Sequence, residues 1–306
     1  MTELPDQSGN AAGRDHDGLV DWLVDEPMLH EPILIVMLSG WIDAAGAAAA
    51  AADAVSSECK TSPILRFDDD TFIDYRARRP VMELRDGVNN DLIWSTIELR
   101  AGYAPDGRDI LLLTGPEPDM AWKKFAGIVA DISEDLGVTQ LVAFGAYPFA
   151  TPHTRPSRLS CSSPSTDALA KVTFIRSSAD VPAGMAALLE HAMHARKIPA
   201  LTIWVQVPHY VAAMPYPAAS VGLLDGLAEA TGITLEAEEL RNDVGPQRDR
   251  INASIGDNQE RLGMLHQLEE IYDTATDEEL QQGPELEMQS GDDLADEIQR
   301  FLRDQN

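Results

Sequence analysis

Two histidines, an arginine and several carboxylates stand just after short apolar runs, where loops leaving a sheet could build a site for a polar ligand. His153 and Arg155 lie in Gly145-Ala-Tyr-Pro-Phe-Ala-Thr-Pro-His-Thr-Arg-Pro156, and His209 and Tyr210 directly follow the run 200–207. Imidazole can take or give a proton near neutral pH, a guanidinium can clamp an oxyanion, and a Tyr hydroxyl can donate or accept. Gly40, Trp41 and Asp43 follow the run 32–38, Glu117 and Asp119 follow 110–114, and Tyr147 follows 139–146. The candidate pocket is therefore Gly40, Trp41, Asp43, Glu117, Tyr147, His153, Arg155, His209 and Tyr210. Each residue also has a structural role open to it. Asp43 stands where a helix N-cap belongs, and Trp41 can anchor packing. Glu117 and Asp119 fall in the expected first turn of a helix, where the macrodipole favours acids. His153 and His209, placed in loops, have the least structural reason to be there.

Other chemistries have weaker signatures. His191 and His194 lie three apart on an expected helix, but no third metal ligand has compatible spacing. The Ser-rich stretch 158–163 lacks a G-x-S-x-G elbow, and Cys59 and Cys161 carry no Cys–His signature. The Gly40…Gly46 spacing lacks the Lys-Ser/Thr of a phosphate loop and the third glycine of a dinucleotide fingerprint. No catalytic residue, metal or cofactor is assigned.

The elements that would position the candidates alternate between strand and helix. Pro32-Ile-Leu-Ile-Val-Met-Leu38 is a continuous apolar run of strand length, as expected for a strand buried on both faces. An Ala-rich helix follows over 44–57, its small side chains allowing close approach to a sheet. Strands are expected at 64–67, 110–113, 139–146, 171–175 and 200–207, with a charged, irregular stretch at 68–91 that holds an edge strand at 81–84. Residues 92–99 should pair in a hairpin with 109–114. Helices should start near Pro118, Pro182 and Pro217, the first placing Met120, Phe125, Ile128, Val129, Ile132 and Leu136 on one face. Residues 19–29 read as a short amphipathic piece and 147–166 as a loop. Such alternation means an α/β fold, a mostly parallel sheet covered on both faces by helices. Beyond Leu235 the apolar positions Val244, Ile251, Ile255, Leu262, Leu265, Leu268 and Tyr272 form a single stripe, expected on one long helix from about Gln247. The expected organisation is a disordered acidic arm at 1–18, an α/β domain at 19–234 and a helical extension at 235–273. An acidic linker then leads to a short amphipathic helix with Leu294, Ile298, Phe301 and Leu302, all within 274–306.

Formal net charge is −28. Residues 1–31 hold eight acids and one Arg, and residues 235–306 hold twenty acids and six Arg, so the acid concentrates in the two ends. Such a field repels nucleic acid and anionic lipid, which require Lys and Arg. No apolar run approaches the ~18–20 residues of a membrane span. With no basic-then-apolar leader pattern, the expected location is the cytoplasm. One basic cluster, Arg76-Ala-Arg-Arg-Pro80, stands out. Arg76, Arg78 and Arg79 either neutralise the nearby Asp68, Asp69, Asp70 and Asp74 or contact a neighbouring subunit.

A combination of stretches is more specific than any of these motifs. Leu38-Ser-Gly-Trp-Ile-Asp-Ala-Ala-Gly46 precedes Phe67-Asp-Asp-Asp-Thr-Phe-Ile-Asp-Tyr-Arg-Ala-Arg-Arg-Pro80. Leu113-Thr-Gly-Pro-Glu-Pro118 and the stretch 145–156 then follow. In that order and spacing they resemble the bacterial branch of the proteasome assembly chaperone family, of the second-chaperone type, over roughly residues 30–235. The resemblance implies a three-layer α/β/α sandwich of the phosphorylase/hydrolase-like kind, here with a C-terminal helical extension. It also implies a homo-oligomer that binds protein partners, proteasome core subunits among them. The C-terminal hydrophobic-Tyr-any tripeptide of some relatives is not matched by Asp304-Gln305-Asn306. The reading is of a non-catalytic assembly protein. The alternative is a small-molecule-binding or nucleoside hydrolase/phosphorylase-like enzyme using the strand-end pocket.

Overall fold

The computed structural model describes residues 16–25, 27–256 and 258–275. In chain order the elements are β1 (Val20–Trp22), β2 (Ile33–Ser39), α1 (Ala47–Glu58), β3 (Ser62–Phe67), α2 (Asp69–Phe72), β4 (Val81–Arg85), β5 (Val88–Ile93), β6 (Glu98–Tyr103) and β7 (Asp109–Pro116). There follow α3 (Trp122–Asp135), β8 (Gln140–Phe149), β9 (Leu159–Ser162), α4 (Thr166–Leu169), α5 (Met185–Ala195), β10 (Ala200–Pro208), α6 (Pro217–Thr231), α7 (Glu238–Gly256) and α8 (Gln259–Thr274). Among the described residues, eight strands form one sheet in the order β1-β3-β6-β7-β2-β8-β10-β9, and β4 and β5 form a separate two-stranded sheet.

The centre of the sheet, β7-β2-β8-β10, is parallel and both margins are antiparallel. Alternation along β2 explains the three layers. Ile33, Ile35 and Met37 enter the core shared with α1, α6, α7 and α8, while Leu34 and Val36 enter the core shared with α3 and α5. A central parallel strand must be apolar on both sides, which is why β2 reads as an unbroken run. Close packing leaves no room at Gly145 of β8. A Cβ there would lie 2.3 Å from Cζ3 of Trp204, its register partner on β10. The chain goes from β7 through α3 to β8 on the far side of β2, so strand order reverses there. The carboxyl ends of these strands flank the crevice where open α/β sheets hold ligands.

The three-layer α/β architecture is as expected, and several local expectations are corrected. Residues 19–29 contribute the edge strand β1, antiparallel to β3. The stretch 68–91 is not irregular throughout: Asp86 (φ 51°) and Gly87 (φ 81°) close a two-residue turn, so β4 folds back on β5. The strand opposite β7 is β6, a few residues later than expected. Helix α3 starts only at Trp122, because β7 runs to Pro116 and Ala121 enters the helix with φ 54°. Glu117 and Asp119 therefore lie in the preceding loop, and Met120 is 45% exposed instead of inward. Part of the loop 147–166 is β9, while 171–175 adds only a single bridge, Ser160–Ile175. The long helix expected from about Gln247 starts earlier, at Glu238, and is two helices, because Asn258 caps α8 by accepting the Glu260 and Arg261 amides. The stripe itself stands: Ile251, Ile255 and Leu265 join the core cluster of α1 and α6. Of the arm expected at 1–18, residues 1–15 lie outside the described residues, as do the expected linker from 276 on and the helix with Leu294, Ile298, Phe301 and Leu302.

Candidate functional site

Around the ends of β2 and β7 the candidates hold the backbone together. Gly40 has φ 118°, and a Cβ on it would sit 2.6 Å from Nη2 of Arg78, so glycine permits the guanidinium to approach. Arg78 donates through Nε to both carboxylate oxygens of Asp119 at 3.1 Å and through Nη2 to the Glu117 carbonyl. Asp119 also accepts the Asp74 amide at 3.0 Å. The Glu117 side chain is buried and accepts the amide of Met185, the first residue of α5, at 2.9 Å. Trp41 lies over Gly184, where a Cβ would meet Cδ1 at 2.7 Å. Asp43 accepts the Ala48 and Ala49 amides at 2.8 and 3.1 Å, serving α1 from beyond the 3-10 turn at 44–46. Burial pushes its carboxyl upward, partly offset by those amides.

Around the ends of β8 and β10 a second group gathers. The backbone amide of His153 donates to the Tyr210 hydroxyl at 2.8 Å, and Nδ1 of His153 lies 2.8 Å from the same oxygen. Nε2 lies 3.0 Å from Oδ1 of Asn252 on α7. Because Oδ1 only accepts, Nε2 carries the proton, and the Tyr210 hydroxyl donates to a bare Nδ1. This arrangement holds the imidazole neutral. Burial pushes the pKa of His153 down, and burial likewise pushes that of Tyr210 up, keeping the hydroxyl protonated. Beside it, Arg155 donates to both oxygens of Asp273 at 2.8 and 2.6 Å and to Glu269 at 3.3 Å, all on α8. The guanidinium holds Asp273 below the usual carboxylate range. Thr154 also donates to Glu269. Arg158 lies 3.6 Å over the Tyr272 ring and donates to the Tyr272 carbonyl, while the Tyr272 hydroxyl donates to the carbonyl of Pro156. His209 is exposed and meets the Tyr210 ring edge-on. Tyr147 bonds inward to Ser160 and Gln206.

The candidates thus form separate groups. His153, Arg155 and Tyr210 come together as a clamp on α7 and α8. Gly40 and Glu117 meet around Arg78, and Asp43 and Tyr147 serve their own elements. A cleft of about 370 Å³ at the ends of β2 and β7 is lined by Ser39, Asp53, Arg78, Thr96 and neighbouring residues. None of the nine pocket candidates is among its lining residues. Sequence reasoning missed Arg158, Asn252, Glu269, Tyr272 and Asp273. A signal was present in the two arginines of a Pro/Ser loop and the i, i+4 acids Glu269 and Asp273 of α8, which are opposite in charge. Among the described residues, no helix is long and apolar enough to cross a membrane.

This arrangement of strands, strand-end loops and docked helices is that of a known class. The PAC2 family profile matches residues 37–254, well beyond half the chain, and the chain belongs to the PAC2 family. The match extends past residue 235 into α7, further than the sequence stretches suggested. A Corynebacterium glutamicum protein of unknown function is 29% identical, with a TM-score of 0.78 over 84% of this chain and 97% of its own. A Mycobacterium tuberculosis proteasome-assembly chaperone homologue is also 29% identical, with a TM-score of 0.71 over 77% of this chain and 99% of its own. PbaB from Pyrococcus furiosus, an archaeal proteasome activator, shares the fold at 15% identity, with a TM-score of 0.60 over 77% of this chain and 98% of its own. No curated protein sequence matches the chain.

Proposed function

We propose that this chain is a non-catalytic, chaperone-like protein that binds proteasome core subunits during their assembly. The observation that carries this reading is membership of the PAC2 family together with likeness, at 29% identity, to a proteasome-assembly chaperone homologue. The strand-end chemistry supports it. The imidazole, guanidinium and phenol best suited to act on a ligand, those of His153, Arg155 and Tyr210, bond to one another or to α7 and α8. A binding protein uses surface, and here the strand-end polar groups hold an added helical surface in place.

The test is direct binding of the full chain to separately purified α-type and β-type proteasome subunits of the same organism, by biolayer interferometry. The expected result is saturable binding to a free subunit and loss of binding once that subunit is in the finished core particle. Absence of binding to either subunit up to its solubility limit would overturn the proteasome assignment.

A further inference from the structure

Four exposed cations gather where β7 hands over to α3. Asp119 ties the two segments together. Its carboxylate accepts the Asp74 amide and Nε of Arg78, and the amides of Asp119 and Met120 both donate to the Phe72 carbonyl. Arg76 and Arg79 therefore stand beside the start of α3, whose first turn carries Lys123 and Lys124. All four are exposed and make no ion pair among the described residues. Over 68–80 and 117–124 one exposed acid, Asp70, stands against them. The lysines oppose the macrodipole: α3 has no acid in its first turn and no side-chain cap, so two cations meet the positive end of the helix. Unpaired cations side by side also repel one another, and an anionic partner relieves both costs. The apolar side chains nearby are exposed as well. Met120 is 45% exposed and Trp41 39%, and Trp41 follows Gly40, against which the Arg78 guanidinium lies. The patch fits a segment that is both acidic and apolar.

We propose that the chain's own residues 276–306 dock on this patch. The acids of 277–297 face Arg76, Arg79, Lys123 and Lys124, and Leu294, Ile298, Phe301 and Leu302 cover Met120 and Trp41. Residues 276–306 hold ten acids and two arginines, net −8, and those four apolar residues recur at the i, i+4, i+7 and i+8 steps of one helix face. A helix so short is marginal alone in water and needs a surface. Connectivity selects this segment over another acidic chain. Tyr272 and Asp273 are held to Pro156 and Arg155, in the loop after β8. Strands β8, β2 and β7 are adjacent and parallel, so that loop and the patch lie at the same end of the sheet, with about 10 Å between β8 and β7. The 18 residues 276–293 have a root-mean-square reach of about 23 Å as a flexible chain, and more when like charges extend them. Tethering at that range gives an effective concentration of about 1 mM, so even a contact with a dissociation constant of about 0.1 mM keeps the segment bound about nine-tenths of the time. This inference does not depend on which client the protein binds.

The test is hydrogen exchange by mass spectrometry on the full chain, joined to zero-length carbodiimide cross-linking, with circular dichroism to confirm folding. The variants are Arg76→Glu/Arg79→Glu, Lys123→Glu/Lys124→Glu and Ile298→Asp/Phe301→Asp. The four cations are exposed and belong to neither core cluster, so their replacement leaves the fold intact. In wild type the amides of 294–302 should exchange about tenfold slower than in Ile298→Asp/Phe301→Asp. Each charge-reversed variant should lose most of that protection, as should wild type in 1 M salt, where the Debye length is about 3 Å. Carbodiimide should join Lys123 or Lys124 to carboxylates of 277–297. In an equal mixture of 15N-labelled and unlabelled chain, those links should stay within one chain. Amides of 294–302 that exchange at the free-chain rate in wild type overturn the proposal, and so does protection that survives both charge reversals. Links found only between chains would assign the patch to the tail of a second copy and equally overturn it.

Discussion

The clamp on α7 and α8 gives the sharpest prediction, and Tyr210→Phe is the change that isolates it. The substitution keeps the ring, its packing and its edge-on contact with His153, and removes one oxygen. That oxygen accepts the amide of His153 and donates to its Nδ1, each at 2.8 Å, and His153 is only 4% exposed. Both groups would be left without their partner in a site that water reaches poorly. A buried donor or acceptor left unsatisfied costs about 1–3 kcal/mol, so losing two partners should cost about 2–6 kcal/mol. That is a large share of a typical total stability of about 5–15 kcal/mol. The assay is urea unfolding, in which the midpoint should fall with little change in slope, accompanied by faster amide exchange in α7. A loss below about 0.5 kcal/mol, the range of an ordinary surface change, would refute the hydrogen-bond assignment.

Further expectations follow from the same geometry. The neutral imidazole of His153 is the favoured form in the fold, so its contribution is fully present above the ordinary histidine pKa of 6.5. It is lost as pH falls below that value through the depressed folded pKa. Wild type should therefore lose stability on acidification more steeply than His153→Gln, and parallel pH profiles would contradict this. Gly145→Ala should cost about 1–3 kcal/mol or abolish folding, since its Cβ would overlap the Trp204 ring, as a shift in thermal midpoint will report. Asp43→Ala should cost about 1 kcal/mol through loss of the two amide contacts at the start of α1, whereas Asp43→Asn should recover part of it in the same melting assay.

The sheet was legible because its determinants are local. The unbroken run of β2, the Ala-rich α1 and the spacing of Phe125, Ile128, Val129 and Ile132 in α3 each state their burial within a few residues. The hairpin β4–β5 was equally local, and its Asp86-Gly87 turn was the signal to follow. Charge on Glu83, Arg85, Asp86 and Asp91 obscured it, because an exposed hairpin lacks the half-buried alternation that reveals a strand. The clamp could not be read this way. His153 meets Asn252 across 99 residues, and Arg155 meets Asp273 across 118, so nothing near the loop announces the partner. The strand-end position of His153, Arg155 and Tyr210 was foreseeable, but what they hold depends on where α7 and α8 dock.

The central claim is that the chain binds proteasome core subunits during assembly, and the most direct measurement is a time course of core-particle formation from purified α-type and β-type subunits on native gels. With the full chain added, the account predicts faster formation of the finished particle, an intermediate that contains the chain, and release of the chain from the completed product. An unchanged time course in which the chain joins no intermediate would contradict it.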